Sequence, residues 1–229
     1  MSKGKFIAYE NVFDQSTLRA VFKMSGQGFF DNIEGPISTG KESNVFLVKL
    51  GEEKRVAKIY RTNDAAFKKM HEYMKSDPRF SGMKGTNLTI VYLWAKKEFR
   101  NLMRAREKEV NAPMPFSVFK NILIMEYYDA PLLIKQPPND PKKFYEKLIK
   151  EVIKLKTAGL VHTDISEYNI LNNNEEPVLI DFSHALDLRY PNVQRYLIRD
   201  IHNIVTYFNK FGLKLDEKKE FERVWMYKN

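Results

Sequence analysis

Cysteine is absent from the 229 residues. That removes disulfides, thiolate zinc sites and thiol nucleophiles from the chemistry open to the chain, and it fits a reduced, intracellular setting. Long hydrophobic runs are missing as well. The oiliest stretch, "NILIMEYY", is far too short to span a bilayer. The start, "MSKGKFIAYE", lacks the apolar core of a signal peptide. A soluble, cytoplasmic protein with no membrane partner is the expectation. No internal repeat or low-complexity tract interrupts the chain, and no His/carboxylate cluster has the spacing of an independent metal site.

What is present is 43% apolar residues, with aromatics making up 13% of the chain, which is ample for a core. The length suits one large domain or two small lobes sharing a cleft. Lys and Arg number 38 against 29 Asp and Glu, a net charge of +9 that favours phosphate-rich partners such as nucleotides or RNA.

The patterning predicts a short helix from Asp14, ended by Gly26 and Gly28. Three antiparallel strands follow, "EGPISTG", "SNVFLVKLG" and "KRVAKIY", with Gly40 and Gly51 at the turns. Helices are expected near 63–76 and 88–109, the second stopped by Asn111, Pro113 and Pro115, with the loop "SDPRFSGMKGTN" between them. Two strand candidates meet at Lys120-Asn121, and the proline-rich "DAPLLIKQPPNDP" cannot be regular. Then comes an amphipathic helix with Phe144, Leu148, Val152 and Leu155 on one stripe. A buried hairpin with "NNNEEP" as its loop and a last helix over 192–212 complete the chain.

Several residues stand out chemically. Lys58 lies in an apolar strand, so it needs either an exposed edge or an anionic partner. Glu98 sits on the same helix side as Val91, Ala95 and Leu102, and a carboxylate there calls for a cation. Glu98 facing Lys58 satisfies both; an exposed Glu98 is the alternative. "STGKESNVF" places Ser38, Lys41 and Ser43 around Gly40, but it matches neither G-x-x-x-x-G-K-[ST] nor G-x-G-x-x-G and reads as readily as a plain hairpin turn. "HTDISEYNIL" has Asp164 and Asn169 bracketing one loop, with Asp181 ending the next apolar run. H-x-D-x-x-x-x-N followed by a strand-end Asp is the layout of kinase-like phosphotransferases. Asp164 can orient an attacking hydroxyl, while Asn169 and Asp181 offer oxygen ligands to Mg2+. Asx-turns are the competing reading. His162 is expected to brace the loop, with His71 and His202 as ordinary helix residues.

Taken together, "STGKESNVF", "LWAKKEFRNLMRA", "HTDISEYNIL", "LIDFSHA" and "YPNVQRYLIRDIHNIVTYF" resemble the RIO-type atypical serine/threonine protein kinases over residues 10–213. "YRTNDAAFKKMHEYMKSDPRF" points to the first subfamily, which has no N-terminal winged helix, whereas "ESNV" mixes the patterns of both main subfamilies. Ser166 stands where general kinases carry Lys, and His184 where the family usually has Gln.

The resemblance implies an α+β, bilobal kinase-like fold. A small antiparallel N-terminal lobe over 1–126, with an N-terminal helix and helix C, would precede a trimmed helical C-terminal lobe over 127–229 without an activation segment or later helices. It implies Mg-ATP-dependent phosphorylation of Ser/Thr, including the chain's own, and ATPase activity, with Mg2+ or Mn2+. Lys58, paired with Glu98, would meet the α/β-phosphates; Asp164 would be the catalytic aspartate; Asn169 and Asp181 would hold the metal. Asp181 is also linked in this family to an aspartyl-phosphate. Ser38, Lys41 and Ser43 would lie over the triphosphate. Met125 would be gatekeeper, with the Glu126 carbonyl and Tyr128 N–H at the adenine edge and Ala57, Leu171 and Ile180 on its faces. Asp200 would hold the catalytic-loop backbone. The resemblance further implies work on small ribosomal subunit precursors and their RNA, either by phosphorylation or as an ATP-switched assembly factor. A lysine stripe at Lys143, Lys147, Lys150 and Lys154 would suit RNA. Self-modification would fall at Ser76, Ser81, Thr86 or Thr89. A small-molecule kinase of the aminoglycoside type shares the loop motif but not the shortened region after Asp181.

Overall fold

The computed structural model describes residues 13–62, 70, 71, 74, 77, 79 and 86–227, in two compact units. The first comprises 13–62, 70, 71, 74, 86–99 and 114–127; the second comprises 77, 79, 100–113 and 128–227. The helix expected near 63–76 lies mostly outside the described residues, as do Ser76 and Ser81.

The first unit is a five-stranded antiparallel sheet, in the order β1-β2-β3-β5-β4, with helices α1 (Gln15–Gly26) and the first part of α2 (Asn87–Glu107). Its strands are β1 (Asn32–Thr39), β2 (Ser43–Leu50), β3 (Glu53–Tyr60), β4 (Pro115–Phe119) and β5 (Ile122–Glu126). Asp14 starts α1 by accepting the Thr17 N–H at 2.8 Å, the capping bond that Asp makes well. β2 turns into β3 through Gly51, whose φ of 59° is the left-handed value such a two-residue turn needs. Register divides the side chains between two faces. Phe46, Ala57 and Ile124 are cross-strand neighbours, and with Val48, Ile59 and Ile122 they pack against Ala20, Val21 and Met24 of α1. Each such large side chain contributes roughly 1.5–3 kcal/mol by leaving water. Lys58 pairs with Val45 and Leu123 on the opposite face, beside Val56 and Met125.

The second unit is built on α3 (Pro141–Thr157), α4 (Gln194–Asn209) and α5 (Glu217–Trp225), with the end of α2. Two small sheets join them: β6 (Leu160–Val161) with β9 (Leu186–Asp187), and β7 (Ile170–Asn173) with β8 (Glu176–Leu179). Asp140 caps α3 through the Lys143 N–H at 2.9 Å, Pro141 occupies the first helical position, and Phe144, Leu148, Val152 and Leu155 are buried as the stripe predicts. Tyr145 meets Phe208 of α4 edge-on at 5.5 Å.

Three expectations need correction. The β7–β8 connection is a tight turn at Asn174-Glu175, at φ 52° and 65°, and not a six-residue loop, because Asn tolerates the positive φ that a type I′ hairpin requires. α4 is not the last helix. Asp216 caps α5 through the Lys219 N–H at 2.8 Å, with Glu217 and Glu220 in its first turn. The lysine stripe is half consumed within the fold: Lys147 donates to the Glu175 carbonyl and pairs with Glu176, while Lys154 pairs with Glu151 at 2.8 Å and donates to the Glu109 carbonyl. No helix among the described residues is long and apolar enough to cross a membrane.

Candidate active site

In the first unit Lys58 Nζ donates to Glu98 Oε1 at 2.9 Å, and both residues are buried. The β3 register aims Lys58 at the sheet face that α2 covers, and Val91, Ala95 and Leu102 bury the same side of α2. Tyr60 completes the arrangement by donating its hydroxyl to Glu98 Oε2. Each carboxylate oxygen therefore has a donor, which offsets the cost of burying the charge. Residue-by-residue reading missed Tyr60, although it stands two positions after Lys58 and so shares its face.

The same alternation corrects Ala57. Its side chain is buried in the core beneath α1, on the face away from Lys58, and the residue on the Lys58 face is Val56, opposite Met125. Met125 is itself buried at the β5 end. Glu126 closes a local ring: its N–H donates to the Met114 carbonyl at 2.8 Å and its carboxylate accepts the Met114 N–H at 3.0 Å. The division between the units falls between Tyr127 and Tyr128.

Ser38 ends the exposed side of β1, Lys41 sits exposed in the Gly40–Glu42 turn, and Ser43 starts β2. The Gly40 N–H donates to the Ser43 carbonyl at 2.9 Å, and a Cβ on Gly40 would lie 3.2 Å from that oxygen. Glycine is thus set by close approach of backbone to backbone.

In the second unit Asp164 and Asn169 share one turn. Asn169 Nδ2 donates to the Asp164 carbonyl at 2.8 Å and to its Oδ2 at 2.9 Å. Both atoms only accept, so the amide nitrogen faces Asp164 and the Asn169 oxygen is turned away as a prospective ligand. The Ile180 N–H donates to the Asn169 carbonyl at 3.0 Å, bringing the chain before Asp181 alongside. Asp181 holds φ 62°, a left-handed conformation uncommon outside glycine, and its Oδ1 accepts the Ser183 hydroxyl at 2.6 Å. Leu171 pairs with Val178 and bridges Leu132; Leu171 and Ile180 are half-buried. The oxygen donors of Asn169 and Asp181 fit a hard divalent ion that takes the rest of its shell from phosphate and water. No cluster of three or more His, Cys, Asp or Glu suited to a metal occurs among the described residues.

Asp200 staples the loop from α4. Its carboxylate accepts the Thr163 N–H at 2.7 Å and the Ile165 N–H at 3.0 Å, one on each side of Asp164. Burial pushes its pKa up to about 7, against those two donors and the nearby Arg199. Asn203 adds a bond to the Ile165 carbonyl at 2.9 Å. Thr163 sits at φ 73°, a strained value for a β-branched residue, held by Asp200 and by its hydroxyl on the His184 carbonyl. His162 braces the loop as expected: Nε2 lies 3.0 Å from the Ile180 carbonyl, which only accepts, so Nε2 carries the proton. Burial holds its pKa below the ordinary imidazole value, and it is neutral at neutral pH.

The sequence profile of the RIO domain matches residues 44–221. The RIO-type serine/threonine-protein kinase Rio1 of Haloferax volcanii is 37% identical over 226 residues, covering 96% of this chain and 78% of its own. That of Methanocaldococcus jannaschii is 38% identical over 206 residues, covering 87% and 70%. Among solved structures, the Rio2 kinase-ADP/Mg2+-phosphoaspartate complex from Chaetomium thermophilum superposes with a TM-score of 0.69 at 23% identity, over 89% of this chain and 64% of that one. Such a likeness establishes the kinase-like α+β fold, and the closer relatives establish the family. The chain belongs to the RIO-type serine/threonine protein kinases.

Proposed function

We propose that this chain transfers the γ-phosphoryl group of Mg-ATP to serine or threonine hydroxyls, with Asp164 as the residue that orients the acceptor. One observation carries this reading: the loop in which Asn169 fastens the Asp164 carboxylate while keeping its own oxygen outward, with Asp200 gripping the backbone on both sides. In the first unit Lys58, fixed by Glu98, supplies the cation for the α/β-phosphates, and Ser38, Lys41 and Ser43 supply donors and charge for the triphosphate. Met125, the Glu126 carbonyl and the Tyr128 N–H serve the adenine, with Val56 taking the place first given to Ala57. In the second unit Leu171 and Ile180 give apolar contact, and Asn169 and Asp181 hold the metal. A divalent ion held by Asn169 and Asp181, Mg2+ or Mn2+, would supply positive charge against that building on the phosphate oxygens. The hydroxyl oxygen bonds to the γ-phosphorus as the bond to the β–γ bridging oxygen breaks; ADP leaves, and the hydroxyl proton passes to Asp164. Asp181 is the carboxylate to which a phosphoaspartate, named for the solved Rio2 complex, corresponds in this reading.

The test is label transfer from γ-labelled ATP in the parent and the Asp164→Asn variant, to itself and to a serine peptide. Loss of about a hundredfold or more, the usual worth of a positioned acid–base group, is the result the reading requires. Parent-like labelling would refute it. Of the self-modification sites, Thr86 and Thr89 are described: the two hydroxyls lie 3.1 Å apart at the start of α2.

A second reading adds ATP-switched binding to small ribosomal subunit precursors and their RNA. It is supported by the net charge of +9 and by the exposed Lys143 and Lys150. Its test is co-sedimentation with small-subunit particles with and without nucleotide; a nucleotide-insensitive result counts against a switch.

A further inference from the structure

Helix α4 does more than staple the loop. Arg195 and Arg199 are one turn apart on its exposed side, with Tyr196 beside them and Tyr190 edge-on to Tyr196 at 5.9 Å. With Pro191 and Asn192 these residues line a groove of about 660 Å³. Among the described residues no carboxylate lines it, the first turn of α4 carries no acidic residue, and Val193 provides no side-chain cap. Arg195 makes no ion pair among the described residues. Arg199 packs over the Tyr196 ring at 5.6 Å and donates to the carbonyl of Thr163, the residue before Asp164. The groove is therefore cationic, without a neutralising carboxylate among the described residues, lined by aromatic rings and tied directly to the loop that holds Asp164.

We propose that this groove receives acidic side chains flanking the phosphoacceptor serine of a protein substrate, so that the enzyme selects serines in anionic surroundings. The inference rests on the kinase reading above. An arginine fork binds carboxylate or phosphate in a bidentate manner, and a partly exposed tyrosine adds a flat surface at little entropic cost. The attachment to Thr163 favours a peptide over RNA. A serine delivered to Asp164 brings its neighbours to the same loop, whereas RNA affinity needs many phosphate contacts spread over a larger basic area.

Two labelled serine peptides, one flanked by Glu and one by Gln, are titrated against the full chain and the Arg195→Glu variant. Binding is read by anisotropy and phosphorylation as kcat/KM. Arg195 is exposed and has no side-chain partner to lose among the described residues, while Arg199 is left intact because it holds Thr163. The parent is expected to prefer the Glu peptide. Arg195→Glu should cut that peptide by roughly tenfold to a hundredfold, the worth of one charge-assisted hydrogen bond. The Gln peptide and peptide-free ATP turnover should stay unchanged, and a Lys-flanked peptide should gain on the variant. Equal treatment of both peptides by the parent, or an equal loss on both in the variant, overturns the proposal. So does an RNA oligonucleotide that outcompetes the Glu peptide in an Arg195-dependent way. If the Glu peptide binds through Arg195 but is never phosphorylated, the groove stands and the kinase reading falls.

Discussion

Lys58 Nζ lies 2.9 Å from Glu98 Oε1, with 5% and 1% of the two side chains exposed. A pair so buried is expensive to break from one side, since the survivor keeps its charge without its partner. Glu98→Gln is expected to cost about 3–5 kcal/mol of stability, and the double change Lys58→Met with Glu98→Leu distinctly less. Urea unfolding of the parent, of Glu98→Gln, and of the cycle of Lys58→Met, Glu98→Leu and the double variant measures this directly. A double variant as unstable as the sum of the singles would show that the two residues do not interact. Both variants should lose ATP turnover under the proposed roles.

Tyr60 provides a separate test of how the pair is held. Tyr60→Phe removes only the hydroxyl from Glu98 Oε2 and keeps the ring, 5.4 Å from Lys58 Nζ. Leaving a buried carboxylate oxygen short of a donor costs about 1–3 kcal/mol. Glu98 then gains freedom to rotate, and Lys58 is less firmly placed. The affinity for ATP should fall by about tenfold, equivalent to about 1.4 kcal/mol, while kcat changes less. Nucleotide titration of the folded variant decides it: unchanged affinity would reduce Tyr60 to a packing residue.

Much of this architecture is legible in the sequence. Caps, glycine stops and alternation placed α1, β1 to β3, α2 and α3, because those signals are local. Glu98 was legible because a carboxylate in an apolar helix stripe demands a cation. Ala57 was placed at the adenine by the family resemblance alone; strand alternation sets it on the face away from Lys58, and the register with Phe46 and Ile124 turns it toward α1. The hairpin at Asn174-Glu175 was read too loosely, since a polar tract conceals how few of its residues turn the chain. The free appearance of Lys147 and Lys154 failed for a different reason. Their acceptors lie 28 and 45 residues away in sequence, beyond any local pattern. The β6–β9 pair, two residues in each strand, has no periodicity to detect.

Asp200 ties the fold to pH. Its folded pKa is raised to about 7 by burial, above the ordinary carboxylate value of 3.8. Between those values the folded state holds a proton that the unfolded chain has released. The associated stability is complete below about pH 4 and is lost as pH rises through 7, with a full span on the order of 4 kcal/mol. Asp200→Asn cannot titrate, and its amide faces the Thr163 or Ile165 N–H with a donor, so it is expected to be less stable by about 1–3 kcal/mol in acid. His162, whose depressed pKa acts in the opposite sense, is common to both proteins and cancels in the comparison. The stability gap between parent and Asp200→Asn should therefore narrow from pH 5 to pH 8 in urea titrations. A gap that widens would mean that the ionised carboxylate, gripped by its two N–H donors, is the form the fold prefers.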